Sequence, residues 1–338
     1  MFFKFFYFII FFELITYKLT FTQVDAKINA ESGIYSDSLG NVKNTIKSLS
    51  RLNGSIKYSY FQDSTESSIL IRAGTDFYTS EMYTWKLNLA GSYLFRSENI
   101  IWKGLLNYSN NSYLYNSINS SYNIFTFLAG TEFAISGFPL NLLAGYSSQD
   151  IQLMENSYFD LFSIDVTSSK IFSDNFYLDY GFLIQDFSLN DALSNVKNIS
   201  VNGWNFGPQI KVGFVKSFLL NLDYKFLFYQ SNSTSYPSTE HQIEFIGGLF
   251  LSNNLSLFLL VDYNIRKLNF TNTFKKENLV FFIPSKSENQ FAVKLTYSIS
   301  KSIKPYLKIG YFDDNLIVRN YKFRGLNILI GMEARIIN

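Results

Sequence analysis

The 338-residue chain contains no cysteine and a single histidine, His241. Without cysteine it can form no disulfide framework, no thiolate metal site and no lipoprotein anchor on a cysteine. After Thr20 it also lacks any uninterrupted apolar stretch of the roughly 18 residues that a membrane-spanning helix requires. The formal net charge is only +2, and there is no basic block of the kind that binds nucleic acid. These absences exclude a disulfide-rich, helical-membrane or nucleic-acid-binding protein.

Catalytic signatures are missing as well. The sequence contains no phosphate loop, dinucleotide fingerprint, zinc-ligand spacing or EF-hand, and the Asp313-Asp314 pair offers too few oxygen ligands for calcium. His241 is the one candidate general base, with Ser238 and Glu240 close to it in sequence. It lies near the end of a predicted strand, on the same face as Ile243, which is typical of an amphipathic surface. We therefore predict no enzymatic activity, no metal and no cofactor.

Apolar and polar residues alternate in many segments of the sequence. In Ile243–Arg266, two runs of roughly ten residues meet at the polar turn Ser252–Asn254, and each places apolar and polar side chains on opposite faces. These runs are about twice the usual strand length of roughly 5–6 residues, and they match the ~9–11 residues that cross a bilayer at a tilt. The mean hydropathy of +0.03 is what strands with one lipid face and one wet face produce.

Similar runs recur throughout the chain, without a linker that would mark a second domain. We count about 16 strands, with 14 as the alternative. They include predicted strands near Lys27–Tyr35, Arg51–Phe61, Ser68–Tyr78, Tyr158–Thr167, His241–Leu251 and Leu255–Leu268. The predicted connections alternate between short turns such as Arg96–Asn99 and long polar loops such as Ser109–Ser121 and Asn269–Asn289. The N-terminus carries Lys4, an apolar segment and the small-residue site Val24–Ala26. This predicts a signal peptide over residues 1–26 and a barrel over 27–338; a retained N-terminal anchor is the alternative.

Aromatic side chains on the apolar faces cluster toward strand ends, and aliphatic side chains such as Leu259 occupy the middle. In a soluble β-sandwich, the alternative fold, aromatic and aliphatic residues need not occupy different positions along a strand. A bilayer, in contrast, favours aromatic rings at both interfaces. We predict membrane-interface positions for Trp85, Trp102, Trp204, Tyr263, Tyr297 and Tyr311.

With its signal, alternating strands, aromatic bands and alternating turn lengths, the chain resembles Gram-negative outer-membrane β-barrels over essentially all of its mature length. Members of that class often end in a strand with a glycine, two spaced aromatics and a terminal aromatic. Gly331 fits, but Ala334, Ile336 and Asn338 depart from this pattern. The resemblance implies an all-β fold, a transmembrane antiparallel up-and-down barrel with short periplasmic turns and long extracellular loops. It also implies an outer-membrane location, with the surrounding lipid and the barrel-assembly machinery as partners.

The polar faces would then line a lumen, and their charged residues have a slight basic excess. We expect a porin-like channel for passive diffusion of small solutes or ions, with mild anion preference. Alternatives are a surface-interaction or secretion-associated scaffold with a blocked lumen, and a transporter of hydrophobic compounds, suggested by Leu183, Phe258 and Leu260. The Asn269–Asn289 loop either constricts the lumen or extends a hairpin. The lumen-lining candidates are Lys57, Arg72, Asp76, Lys86, Lys103, Glu132, Asp179, Lys211, Asp223, Lys225, Glu244, Asp262, Arg266, Lys294, Lys304, Lys308, Glu333 and Arg335.

Overall fold

The structure, a computed structural model, describes residues 22–39, 45–78, 82–115, 118–135, 137–151, 157–191, 199–232, 237–268, 289–316 and 321–337. These residues form 16 strands. In chain order they are β1 (Thr22–Leu39), β2 (Thr45–Gln62), β3 (Thr65–Tyr78), β4 (Met82–Ser97), β5 (Ile100–Tyr115), β6 (Ile118–Ile135), β7 (Phe138–Ile151), β8 (Ser157–Ser173), β9 (Phe176–Asp191), β10 (Ile199–Val215), β11 (Phe218–Ser231), β12 (Pro237–Phe250), β13 (Leu255–Leu268), β14 (Asn289–Tyr297), β15 (Ile303–Leu316) and β16 (Tyr321–Ile337).

Every strand pairs antiparallel with its neighbours in sequence, and β1 pairs with β16 to close the ring. Closure leaves no unpaired edge, which is the arrangement that satisfies backbone hydrogen bonds without help from water. The predicted fold class, an antiparallel up-and-down barrel of about 16 strands, is confirmed. Among the residues described, no helix is long and apolar enough to cross a membrane.

The strands are longer than the sequence pattern predicted, reaching 18 residues in β1, β2 and β6. The predicted loop Ser109–Ser121 is mostly strand, because β5 continues to Tyr115 and β6 begins at Ile118. Residues 109–112 of β5 carry polar side chains on both faces, so the ladder continues where the hydrophobic alternation has already ended. Of the predicted Asn269–Asn289 loop, residues 269–288 lie outside the described part of the chain.

Short turns join the strands at the rim opposite the predicted long loops. Asp63 and Glu98, in the turns after β2 and β4, have φ values of 37° and 36°, and Gly137 after β6 has a φ of 83°. Positive φ values suit tight hairpins, whose twist matches that of the flanking strands. At the two longest of these turns a serine organises the backbone: the Ser252 hydroxyl accepts from the Leu255 N–H at 3.1 Å, and the Ser300 hydroxyl accepts from the Ile303 N–H at 3.1 Å.

At the seam between β1 and β16, a side chain from β15 reaches across the last strand. The Tyr306 hydroxyl lies 2.6 Å from a Glu31 carboxylate oxygen and 2.7 Å from the Asn29 side-chain oxygen, both on β1. Its ring passes over Gly331 of β16, where an added Cβ would lie only 2.4 Å from the ring. The glycine therefore provides the room that lets β15 contact β1 directly.

The strand β1 begins at Thr22, upstream of the predicted processing point after Ala26. Thr22–Ala26 pair with Tyr60–Ile56 of β2, and Ala26 also pairs with Ile337 of β16. The signal-peptide boundary stays a prediction, and residues 1–21 lie outside the described part of the chain.

Candidate functional site

The two faces of the barrel wall differ in exposure and chemistry. In β14, Phe291, Val293, Leu295 and Tyr297 are exposed, whereas the intervening Ala292 and Thr296 are buried. Because directly paired residues share a face of the sheet, the register extends this distinction to every strand. The exposed side chains on one face are mainly large and apolar.

Contacts that skip a strand identify the concave face. The Lys103 ammonium on β5 donates to the Asn141 side-chain oxygen on β7 at 3.2 Å, across β6. Likewise, the Gln209 amide on β10 donates to an Asp165 carboxylate oxygen on β8 at 2.5 Å, across β9. Side chains converge toward the axis of a barrel and diverge outside it, so these residues point inward.

All the charged residues predicted to line a lumen fall on the concave face by this register. For Arg266 only the backbone position is described, opposite Glu240. The predicted interface aromatics lie on the other, convex face, and the six are between 41% and 62% exposed. Their exposed apolar surface is consistent with a lipid environment; lining a lumen and lying at a membrane interface stay predictions. The six aromatics are Trp85, Trp102, Trp204, Tyr263, Tyr297 and Tyr311.

Ion pairs connect several concave residues of β14–β16 and β1–β4. Asp76 of β3 is 1% exposed and receives the Lys86 ammonium at 2.9 Å and the Arg51 guanidinium at 3.5 Å. Asp25 of β1 contacts Arg335 of β16 at 2.7 Å. Other pairs in this region are Arg51 with Glu31, Arg96 with Glu66, Lys27 with Asp25, and Lys294 with Glu333. Each acidic side chain named here thus has a basic partner.

A cavity of about 610 Å³ adjoins these pairs on the concave side. Basic groups outnumber acidic groups around it. Among the residues that line it are Lys27, Arg72, Lys86, Lys304, Arg335 and Glu333. Lys57, Arg72 and Lys304 form no ion pair with any residue that the structure describes. This part of the wall therefore presents surplus positive charge.

An apolar cluster occupies the concave side of β8–β11. The Phe187 ring lies 6.4 Å from the Phe159 ring and 6.1 Å from the Tyr229 ring, centroid to centroid. It reaches Tyr229 over Gly203, where a Cβ would lie 2.7 Å from the ring. Phe159, Phe187 and Leu227 are between 1% and 4% exposed. Leu183, Phe258 and Leu260, predicted as apolar exceptions on polar faces, also lie on the concave face.

Beside this cluster, Glu240 of β12 is 1% exposed. Its carboxylate accepts hydrogen bonds from the Tyr229 hydroxyl, from the Asn264 amide at 2.5 Å and from the Gln242 amide at 3.1 Å. A buried carboxylate is stable only when such donors satisfy it. This network fixes β11, β12 and β13 relative to one another.

Several concave charged residues were not predicted from sequence. The predicted first two strands began at Lys27 and Arg51, so Asp25 and Lys47 lay outside them, and Glu240 lay outside the predicted strand beginning at His241. Asp165 was inside a predicted strand, but Phe159 and Leu161 share its face and conceal the alternation. Four of these residues, Lys27, Glu31, Arg51 and Asp165, lay inside predicted strands. The other five lay beyond the predicted strand ends and are Asp25, Lys47, Glu66, Arg96 and Glu240.

His241 lies on the convex face, opposite Ile265. Its Nδ1 is 2.9 Å from the Tyr224 hydroxyl, and its ring centroid is 4.6 Å from that of Phe226. Glu240, its neighbour in sequence, belongs to the concave network and points to the other side of the wall. The histidine is thus part of an aromatic surface, and the described residues contain no group of three or more side chains suited to holding a metal ion.

No family model matches the chain, and neither does any curated protein. Among solved structures, OccK2 (OpdF) from Pseudomonas aeruginosa is 8% identical, with a TM-score of 0.43, over 93% of this chain and 98% of that one. A BenF-like porin from Pseudomonas fluorescens Pf-5 is 8% identical, with a TM-score of 0.44, over 93% and 99%. CdiB from Acinetobacter baumannii is 9% identical, with a TM-score of 0.47, over 90% of this chain and 60% of that one. At these identities and TM-scores, the comparisons assign no function to this chain.

Proposed function

We propose that the chain is an outer-membrane barrel that passes small solutes or ions by diffusion, in the manner of a porin, with mild anion preference. The observation that carries this proposal is the division of the wall: the convex face exposes large apolar side chains, and the concave face carries charged ones. An apolar exterior suits lipid, and charged interior groups suit water. A barrel of this strand number is wide enough for an aqueous channel unless a loop or plug closes it.

The anion preference rests on the sum of the concave charges. The described side chains there comprise fourteen basic and twelve acidic residues. They are the predicted residues other than Arg266, together with the nine residues that were not predicted from the sequence. A small surplus of positive charge raises the local concentration of anions. The expected preference is mild because most acidic residues on β14–β16 and β1–β4 form ion pairs with basic residues there. Only a small surplus of positive charge is left.

The test is single-channel current from the refolded barrel in a planar bilayer with a potassium chloride gradient. We expect steady conductance and a reversal potential that shows chloride favoured over potassium. Lys225, which pairs in register with Gln209 and Gln242, is a suitable position for a variant. Lys225→Glu should fold normally and shift the reversal potential toward potassium. A folded barrel without current would overturn the channel and favour the blocked scaffold.

A second candidate function, transport of hydrophobic compounds, is favoured by the buried cluster around Phe187. Apolar side chains on the concave face are unexpected in a purely aqueous path, whose lining is polar. Uptake of an uncharged aromatic solute by vesicles that contain the barrel would separate the two functions. Loss of that uptake in Phe187→Ser, with ionic conductance retained, would support the hydrophobic route.

A further inference from the structure

The charges on the concave face are segregated into two opposite halves of the ring. The half formed by β14–β16 and β1–β5 carries twelve basic and five acidic described side chains, whereas the half formed by β6–β13 carries two basic and seven acidic. The first set is Lys27, Lys47, Arg51, Lys57, Arg72, Lys86, Arg96, Lys103, Lys294, Lys304, Lys308 and Arg335, with Asp25, Glu31, Glu66, Asp76 and Glu333. The second is Lys211 and Lys225, with Glu132, Asp165, Asp179, Asp223, Glu240, Glu244 and Asp262.

The two halves face each other. In a closed ring of 16 strands, each strand lies opposite the strand eight places away, so β3 faces β11 and β5 faces β13. Arg72 on β3 and Lys103 on β5 thus lie across the axis from the strands that carry Asp223 and Asp262. The net charges of the described side chains, +7 and −5, make the concave face a transverse dipole.

The acidic half is densest on three adjacent strands. Asp223 pairs in register with Glu244, and Glu244 with Asp262, so three carboxylates form a row across β11, β12 and β13. Like charges directly opposite each other on paired strands destabilise the sheet. Lys211 pairs with Asp223 from the other side, which offsets part of this repulsion. Such a row is better explained by a role in the lumen than by a role in folding.

We propose that this transverse charge separation selects dipolar solutes, the class of small zwitterions that carry an ammonium and a carboxylate in one molecule. This inference rests on the proposed channel. A zwitterion has no net charge, so neither half repels it, and it gains energy by turning its carboxylate to the basic half and its ammonium to the acidic half. An uncharged molecule of the same size gains nothing comparable.

Ionic strength sets the reach of this field. Sixteen strands at ~4.8 Å spacing and a tilt of ~40° give a ring roughly 30 Å across. The Debye length is about 30 Å at 0.01 M salt and about 8 Å at 0.15 M. The two halves therefore act on one solute most strongly at low salt, and we expect the selectivity to weaken as salt is added.

The experiment compares alanine with lactamide, two isomers of which only alanine is zwitterionic, by the swelling rate of vesicles containing the refolded full barrel at low salt. We expect alanine to enter at least twice as fast as lactamide. Two triple variants distinguish an effect of the dipole from an effect of the net charge. The first is Asp223→Asn/Glu244→Gln/Asp262→Asn, and the second is Lys57→Gln/Arg72→Gln/Lys304→Gln. They change the net charge in opposite directions, yet both should bring the rate ratio toward one.

The matched control is Arg96→Gln/Glu66→Gln, which removes an ion pair inside the basic half, leaves the net charge of each half unchanged and should leave the ratio unchanged. Heat-resistant migration on gels establishes that each variant is folded. Equal rates for the two isomers in the unmodified barrel would overturn the transverse selection while leaving the channel intact. Absence of swelling by lactamide would instead overturn the channel itself. If only one triple variant lowered the ratio, the effect would belong to a local site and not to the opposed halves.

Discussion

At the scale of single residues, the two faces of β13 make the assignment of inside and outside testable. Leu259 lies on the convex face, between Gly247 of β12 and Val293 of β14 in register, and Leu260 lies on the concave face. Leu259→Arg would place a charge near the middle of the bilayer and should lower the free energy of unfolding by about 2–4 kcal/mol. Urea titration of the barrel refolded into vesicles measures this value. Leu260→Arg should cost clearly less, because its guanidinium can reach water.

Equal losses for these two variants would mean that β13 has both faces in the same surroundings, which would contradict the division of the wall. The comparison is direct because the two positions are adjacent in sequence and carry the same side chain. The choice of face needed for this prediction could be made from the sequence, since every second residue from Leu255 to Ile265 is apolar, whereas the other face carries Ser256, Asp262, Asn264 and Arg266.

At the scale of strands, β10 and β11 approach each other unusually closely at Gly207. The register between them is interrupted here: Phe206 pairs with Phe228 and Gln209 with Lys225, but the two pairs between are missing. Pro208 has no N–H to contribute to the ladder. A Cβ added to Gly207 would lie 1.7 Å from the Phe226 carbonyl oxygen. The wall at this point depends on the absence of a side chain.

We therefore expect Gly207→Ala to force the two strands apart and to lower the free energy of unfolding by about 1–3 kcal/mol, as overpacking does elsewhere. Gly104 in β5 is the matched control, because an added Cβ there meets nothing within 4 Å. Gly104→Ala should be neutral or stabilising by about 0.4–1 kcal/mol through the unfolded state. Urea midpoints of the two variants give both values; a neutral Gly207→Ala would show that the backbone relaxes freely at Pro208.

The existence and order of the strands could be predicted from sequence, but their ends could not. Period-two alternation marks the stretch where one face is apolar, and it predicted the strand Leu255–Leu268 with the bounds that the structure has. Beyond that stretch both faces are polar, as in residues 109–112, so hydrophobicity carries no signal although backbone pairing continues. The same limit explains why Asp25, Lys47 and Glu240 were missed. The contacts across Gly203, Gly207 and Gly331 depend on register, which one sequence without turn geometry does not determine.

At the scale of the whole molecule, the ring depends on one seam, where the first strand meets the last. Tyr306 contributes to it from β15 through Asn29 and Glu31, and Asp25 contributes through Arg335 at 2.7 Å. The charge segregation also crosses this seam, since β14–β16 and β1–β5 together form the basic half. Stability of the seam and the proposed solute selection thus involve the same part of the ring.

Removing Thr22–Ala26 should weaken the seam. A chain that begins at Lys27 loses the pairing of these residues with β2 and the ion pair between Asp25 and Arg335. Since each net hydrogen bond contributes about 0.5–1.5 kcal/mol, we expect it to unfold about 1–3 kcal/mol more easily than a chain that begins at Thr22. Urea titration of the two refolded barrels measures the difference, and Asp25→Asn in the longer chain separates the ion pair from the backbone ladder. Equal midpoints would mean that Lys27–Leu39 suffice to close the ring, and that processing after Ala26 leaves the barrel intact.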